Sequence, residues 1–195
     1  MSAVPHPAPD PVQLDELHGR VWAELTRAAR DRGHGWRQVT LATVDHEGAP
    51  DARTVILREA DASQQVLRFY TDARSPKAGQ IEQQPQGLIV AWCPELAWQL
   101  RLRVQLSLLA SGLAVSSRWA SMQLSRAAND YLAPQAPGSL LDAAGAAHEG
   151  PPAGENRGHF AVIEARVVSI DWLSLQPSGH RRALLGADGA RWLQP

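Results

Sequence analysis

The sequence predicts an α+β fold in which antiparallel strands close into a barrel, behind one leading helix and beside a helical insert. Three observations carry this. Apolar residues recur at helical spacing near the start of the chain and then switch to period two from Val39. Turn signals separate the period-two runs closely enough for hairpins. Finally, Leu100, Leu102, Val104, Leu106 and Leu108 alternate strictly with Gln99, Arg101, Arg103, Gln105 and Ser107. Such a strand has one face in the core and one against water, a ligand or a partner.

Taken in order, residues 1–10 are rich in Pro and Ala and are expected to form a mobile tail. Asp10-Pro11 reads as a helix start, with Asp as cap and Pro at the first helical position. Leu14, Leu17, Val21, Leu25 and Ala28 then form one apolar face up to Arg30, and Asp31, Gly33 and Gly35 end the helix. Residues 38–58 read as a hairpin turning at Asp45-His46-Glu47-Gly48, and Val66–Tyr70 as a third strand. Ser75-Pro76 opens a short helix that stops before Pro85. Gly87–Trp92 is apolar throughout, as in a strand buried on both faces. After the strand 99–108, Ser116–Leu132 reads as helix and 133–157 as a long loop, together an insert spanning about 111–157. Phe160–Trp172, Arg182–Leu185 and Arg191–Leu193 are closing strands. The 195 residues suit one domain, 1–195.

Composition narrows the function. A formal net charge of −1 lacks the basic excess of a general nucleic-acid binder. The single cysteine, Cys93, rules out an internal disulfide and a Cys-rich metal site, and suits the reducing cytoplasm. The His residues lack metal-ligand spacing, so no metal is expected. No window of about 18 apolar residues occurs, and the first residues lack the pattern of a secretory signal, so no membrane role is expected.

No P-loop, GxGxxG, HExxH or nucleophile elbow is present, which leaves basic and hydroxyl residues on the strands as the candidate chemistry. In Arg53-Thr54-Val55-Ile56-Leu57-Arg58 two arginines five apart face opposite sides of a strand. They are either solvated strand-end charges or guanidinium forks for an anion. In Tyr70-Thr71-Asp72-Ala73-Arg74-Ser75-Pro76-Lys77 a strand ends in hydroxyls and a helix begins with Lys in its first turn. That is either an ordinary capped helix or a phosphate cradle of free N–H groups, hydroxyls and an ammonium.

Together, "ATVDHEGAPDARTVILR" and "FYTDARSPKAGQIEQQP" resemble the core of the pyridoxamine 5'-phosphate oxidase family. Gln99 within "WQLRLRV", and Trp172 and Arg182 ten residues apart around His180, continue the resemblance in order. The resemblance implies a six-stranded antiparallel split β-barrel with flanking helices, working as a homodimer with FMN at the subunit interface. It implies an FMN-dependent oxidoreductase acting on a small molecule. Arg53, Lys77, Tyr70, Thr71 and Ser75 would surround the phosphate and ribityl end. The Thr54, Val55, Ile56 and Leu57 backbone would meet the flavin ring, with Arg58 beside it and Gln99 on the polar edge of the ring. Trp172 and Arg182 would arrive from the second subunit, and Arg58, Arg126 and His180 would bind substrate. Pro76, Arg58, Ser178 and Arg181 depart from the family pattern. These departures favour a divergent relative, or a flavin-binding sensor, carrier or sequestering protein without turnover.

Overall fold

The computed structural model describes residues 13–140 and 158–195. The expected tail 1–10, the Asp10-Pro11 helix start and the loop beyond Leu140 lie outside the described residues. Helix α1 (Leu14–Arg30) buries Leu17, Val21, Leu25 and Ala28 as the spacing requires, and Trp22 with them. Asp31 caps its end, and the Asp31 carboxylate accepts the Gly33 N–H at 2.8 Å. A 3-10 turn at Gly35–Arg37 leads into the sheet.

Among the described residues, nine strands form one antiparallel sheet: β1 (Gln38–Val44), β2 (Pro50–Ile56), β3 (Glu59–Asp61), β4 (Val66–Asp72), β5 (Gln86–Cys93), β6 (Trp98–Leu109), β7 (Phe160–Gln176), β8 (Gly179–Gly186) and β9 (Gly189–Leu193). Six long strands, β1, β2 and β4–β7, make the barrel that the resemblance implied, and β3, β8 and β9 extend it. The order is β2-β1-β5-β6-β7-β4-β3, with β8 on β7 and β9 on β8. Its two ends, β2 and β3, are joined by only Leu57 and Arg58, so the sheet must curl until the ends meet. The Arg58 N–H closes the seam by donating to the Arg68 carbonyl on β4 at 2.9 Å.

Strand β7 splits the barrel. Its first half pairs with β4 from Phe160 to Arg166, and its second half pairs with β8 from Ser169 to Gln176. Between them the β6 register shifts, leaving Val168 unpaired and 58% exposed, a bulge that bends the strand out of one partnership into the next. The barrel core joins α1 to the inward residues of the strands, including Leu41, Leu57, Phe69, Ile89, Leu100, Leu102 and Trp172.

Two readings need correction. Gly87–Trp92 is not buried on both faces: Ile89 and Ala91 point inward, whereas Leu88 and Val90 are half-buried and Trp92 is 43% exposed. Nor is 116–132 one helix. It is α3 (Leu113–Met122) followed by a 3-10 turn, Arg126–Tyr131. In a straight helix at roughly 100° per residue, Ala128 would point about 180° away from Trp119. The break lets Trp119, Met122, Ala128 and Tyr131 all pack on Phe160 and Val162, in a second apolar cluster outside the barrel.

Candidate functional site

Two polar sites flank β2, one on each face, because Arg53 and Arg58 are an odd number of residues apart. Arg53 pairs across with the fully buried Leu41, so it points to the inner side of the barrel end. There α2 (Pro76–Gln83) closes the end. The Arg53 guanidinium donates from Nη1 to Thr43 Oγ1 at 2.6 Å, and from Nη2 to Asp51 at 2.5 Å and Gln80 Oε1 at 2.9 Å. Gln80 also donates to Asp51 at 2.9 Å. That bond first, and then the Arg53 charge, holds the Asp51 carboxyl below its ordinary range. Sequence reading missed Asp51 and Gln80. The Gln at the fourth residue after Pro76 faces the same side of α2 by helical spacing, and this was the only available signal.

Lys77 sits one turn away on the same helix. Among the described residues it makes no hydrogen bond or ion pair. Burial, followed by the neighbouring Arg53 charge, lowers its pKa from 10.5. Ser75 caps α2 in position, but its hydroxyl makes no cap bond. It lies 3.1 Å from Thr71 Oγ1, both residues being buried. Pro76 has no N–H and the Ala78 N–H already donates to the Ser75 carbonyl at 2.9 Å, so the donor set suited to a phosphate is the half-buried ammonium, unpaired among the described residues, the Lys77 N–H and two hydroxyls. Beside it, among the described residues, β2 pairs with a strand on one edge only. The Thr54–Leu57 backbone, in which the Leu57 N–H already donates to Arg37 at 2.9 Å, therefore lies along a free edge. The side chains of Val55 and Leu57 are core. These residues fit a flavin phosphate and the polar rim of a flavin ring.

On the other face, Arg58 and Tyr70 meet. The Arg58 guanidinium lies 5.4 Å from the centre of the Tyr70 ring, and its buried Nε has no hydrogen-bond partner among the described residues. They line a cleft of about 710 Å³ with Arg32, Arg37, Ile56, Met122 and Arg126. Four arginines and no carboxylate line it among the described residues. Arg37, tied to the Ala28 and Ala29 carbonyls, has its pKa lowered by burial first and then by Arg58 and Arg32. Such a concentration of positive charge favours an anionic ligand. Tyr70 thus faces this cleft rather than the Thr71–Ser75 pair, because neighbours on a strand point to opposite faces. Its hydroxyl donates to Glu59 at 3.3 Å, and burial, then Glu59, pushes its pKa up to about 12.

The remaining expected residues lie elsewhere on the chain. Gln99 is on the outer face of β6, in one cross-strand row with Trp92, Leu173 and Arg182. Arg182 grips Asp171 through Nε at 2.9 Å and Nη2 at 2.7 Å. His180 is exposed on β8 and does not line the cleft. Trp172 corrects the expectation. It is 1% exposed, with its ring 5.2 Å from the Trp98 ring in the core of its own chain, so no ring face is open to a ligand.

Comparison with known proteins agrees with this fold. The family profile described as pyridoxamine 5'-phosphate oxidase, FMN-binding domain, matches residues 20–110. A pyridoxine/pyridoxamine 5'-phosphate oxidase of Thermosynechococcus vestitus is 30% identical over 198 aligned positions, covering 95% of this chain and 87% of that protein. One from Maricaulis maris is 34% identical over 90 residues, or 46% of this chain, and this match spans only 40% of that relative. The crystal structure of a pyridoxamine 5'-phosphate oxidase-related, FMN binding protein of Nostoc punctiforme superimposes with a TM-score of 0.72 at 27% identity, covering 94% of this chain and 100% of that one. The near full-length relative, the family profile and the shared fold point the same way, and the chain belongs to the pyridoxamine 5'-phosphate oxidase family, whose FMN-binding domain it carries with FMN as the cofactor.

Proposed function

We propose that this chain is an FMN-dependent oxidoreductase that works as a homodimer in the cytoplasm and acts on an anionic small molecule. The observation that carries the reading is the half-buried Lys77, unpaired among the described residues, at the start of α2 beside Arg53. Burial, then the Arg53 charge, disfavours this ammonium despite the opposing pull of Asp72 and Asp51, and a bound phosphate offsets the penalty. Lys77 and the Thr71 and Ser75 hydroxyls hold the phosphate. Arg53, already clasped by Asp51 and Gln80, fixes the strand and adds charge behind Lys77. The free edge of β2 orients the ring. Bound FMN supplies the two-electron chemistry, so the protein needs no strong base of its own. The four-arginine cleft, with Arg58 and Arg126, draws in and orients the substrate's anionic group.

The outer sheet face supports the dimer. Leu88, Val90 and Trp92 form a partly exposed apolar stripe next to Gln99. A second copy covering it would bring Gln99, Arg182 and His180 to shared sites. The departures at Pro76 and Ser178, and the position of His180 outside the cleft, favour a second reading, a flavin carrier without turnover. Purified protein decides between them. A yellow dimer that releases FMN on denaturation and consumes oxygen with pyridoxamine or pyridoxine phosphate is an oxidase of that substrate class. A yellow dimer inert with phosphorylated and carboxylated amines is a carrier. A colourless chain that takes up no added FMN refutes both.

A further inference from the structure

Resting on the cofactor reading above, we propose that Arg74 is a positioning residue of the FMN site, strapping residues 133–138 across the start of α2 and so slowing the escape of the cofactor. By sequence, Arg74 is one more cation beside the candidate phosphate cradle. The structure gives it other work. Its Nε and Nη2 donate to the two carboxylate oxygens of Asp72 at 3.1 and 2.7 Å. Asp72 is 5% exposed at the end of β4, so the charge of Arg74 is matched within the chain. The rest of the fork holds backbone. Nη1 donates to the Pro134 carbonyl at 2.9 Å, and Nη2 to the Ala133 and Gln135 carbonyls at 2.8 and 3.2 Å. Three consecutive carbonyls converge on one guanidinium only if the chain wraps around it.

The wrapped segment then turns back onto α2. The Ser139 N–H donates to the Ala136 carbonyl at 3.1 Å across Pro137-Gly138, with Gly138 at φ +85°. Pro at the second position and a left-handed Gly at the third are the demands of a type II turn. Gly138 rests on Pro76, the first residue of α2; a Cβ there would lie 3.5 Å from Pro76 Cγ. The end of β4 is pinned to the return of the insert, since the Ala73 N–H donates to His159 O at 2.8 Å and the His159 N–H to Tyr131 O at 3.1 Å. The strap thus crosses the helix start one residue from Lys77. Lysine could not do this work, because an ammonium has three donors on a point charge and no planar fork to span a carboxylate and three carbonyls.

The test uses the full chain loaded with FMN and its variants Arg74→Ala, Arg74→Lys and Gly138→Val. The last leaves Arg74 intact but strains the turn, and keeps the test open if Arg74→Ala fails to fold. Stopped-flow flavin fluorescence gives the two rates, and hydrogen exchange reports the amides of 135–139 other than Pro137, which has none. The strap predicts that all three variants release FMN roughly tenfold faster with association within about twofold of wild type, as expected when an interaction closes only after binding. Exchange should rise at 135–139 and not in β4 or β7. Rescue of the release rate by Arg74→Lys would make Arg74 a charge ligand of the phosphate and overturn the strap. So would unchanged release in Arg74→Lys and Gly138→Val. A wild-type chain that takes up no FMN overturns the cofactor reading itself, a different outcome from wild-type uptake with unaltered variants.

Discussion

Lys77→Met separates ligand binding from folding at one side chain. Methionine keeps most of the aliphatic stem and removes the ammonium, which is unpaired among the described residues and whose charge is disfavoured by burial and then by Arg53. Removing a charged hydrogen bond to phosphate costs about 1.5–3 kcal/mol. FMN affinity should therefore fall by roughly 10- to 150-fold. The cofactor-free chain should keep its stability or gain slightly, because Lys77 has a lower pKa folded than the ordinary 10.5. Where the folded pKa of a base is depressed, the unfolded chain binds more protons. Stability then rises with pH between the lowered value and 10.5, and at neutral pH the buried charge is a net cost. Binding has the opposite slope. The anion needs the charged form, so FMN affinity in wild type should decline with alkaline pH, starting below 10.5, and the decline should be absent in Lys77→Met. Fluorescence quenching titrations with FMN and with riboflavin across pH, alongside thermal melts of the free chain, read both quantities. Riboflavin, which lacks phosphate, should bind wild type and variant alike. Wild-type FMN affinity in the variant, or a parallel loss of riboflavin binding and melting temperature, would refute the assignment.

Three further outcomes follow from the same geometry. Trp172→Ala should cost about 3–5 kcal/mol in denaturant unfolding, the range for emptying a large core site. Trp172→Phe, which removes a buried indole N–H without a partner among the described residues, should cost much less and leave FMN affinity unchanged; weaker FMN binding at full stability would mean the ring does touch the cofactor. Glu59 accepts from Arg118 at 2.6 and 2.7 Å, and although burial works against it, the Arg118 bond and charge hold its carboxyl below 4.5. Its contribution is full above 4.5 and fades as pH falls through the lowered value, so Glu59→Gln should lose about 1–2 kcal/mol at pH 7, discounted for partial exposure, and show a flatter acid unfolding profile. Trp92→Glu should convert a dimer to a folded monomer by light scattering and reduce FMN retention; a dimer that persists would place the interface elsewhere.

Much of this protein is legible along the chain. The alternation from Gln99 to Ser107 gave a strand with its polar face outward, and Ser75-Pro76 gave the helix start that places Lys77. Misreadings arose where a face depended on something distant. Apolar Gly87–Trp92 looked buried twice because residue type does not record what covers the second face. The insert looked like one helix because local propensity is blind to Phe160, around which two separate turns must pack.

Trp172 and Arg182 show the limit most clearly. Their ten-residue spacing suggested a shared task, yet β8 pairs Trp172 with Ala183 and Arg182 with Leu173. Neighbouring pairs in an antiparallel ladder point to opposite sides, so one side chain enters the core and the other the outer face. By itself, then, the sequence determined the start of α2, the strand periods and which charges stand near in the chain. Only tertiary structure decided which of those charges are already matched, as Arg74 is by Asp72, and which remain open, as Lys77 does among the described residues. Pairing register and burial are properties of residues brought together from across the chain, and no local pattern contains them.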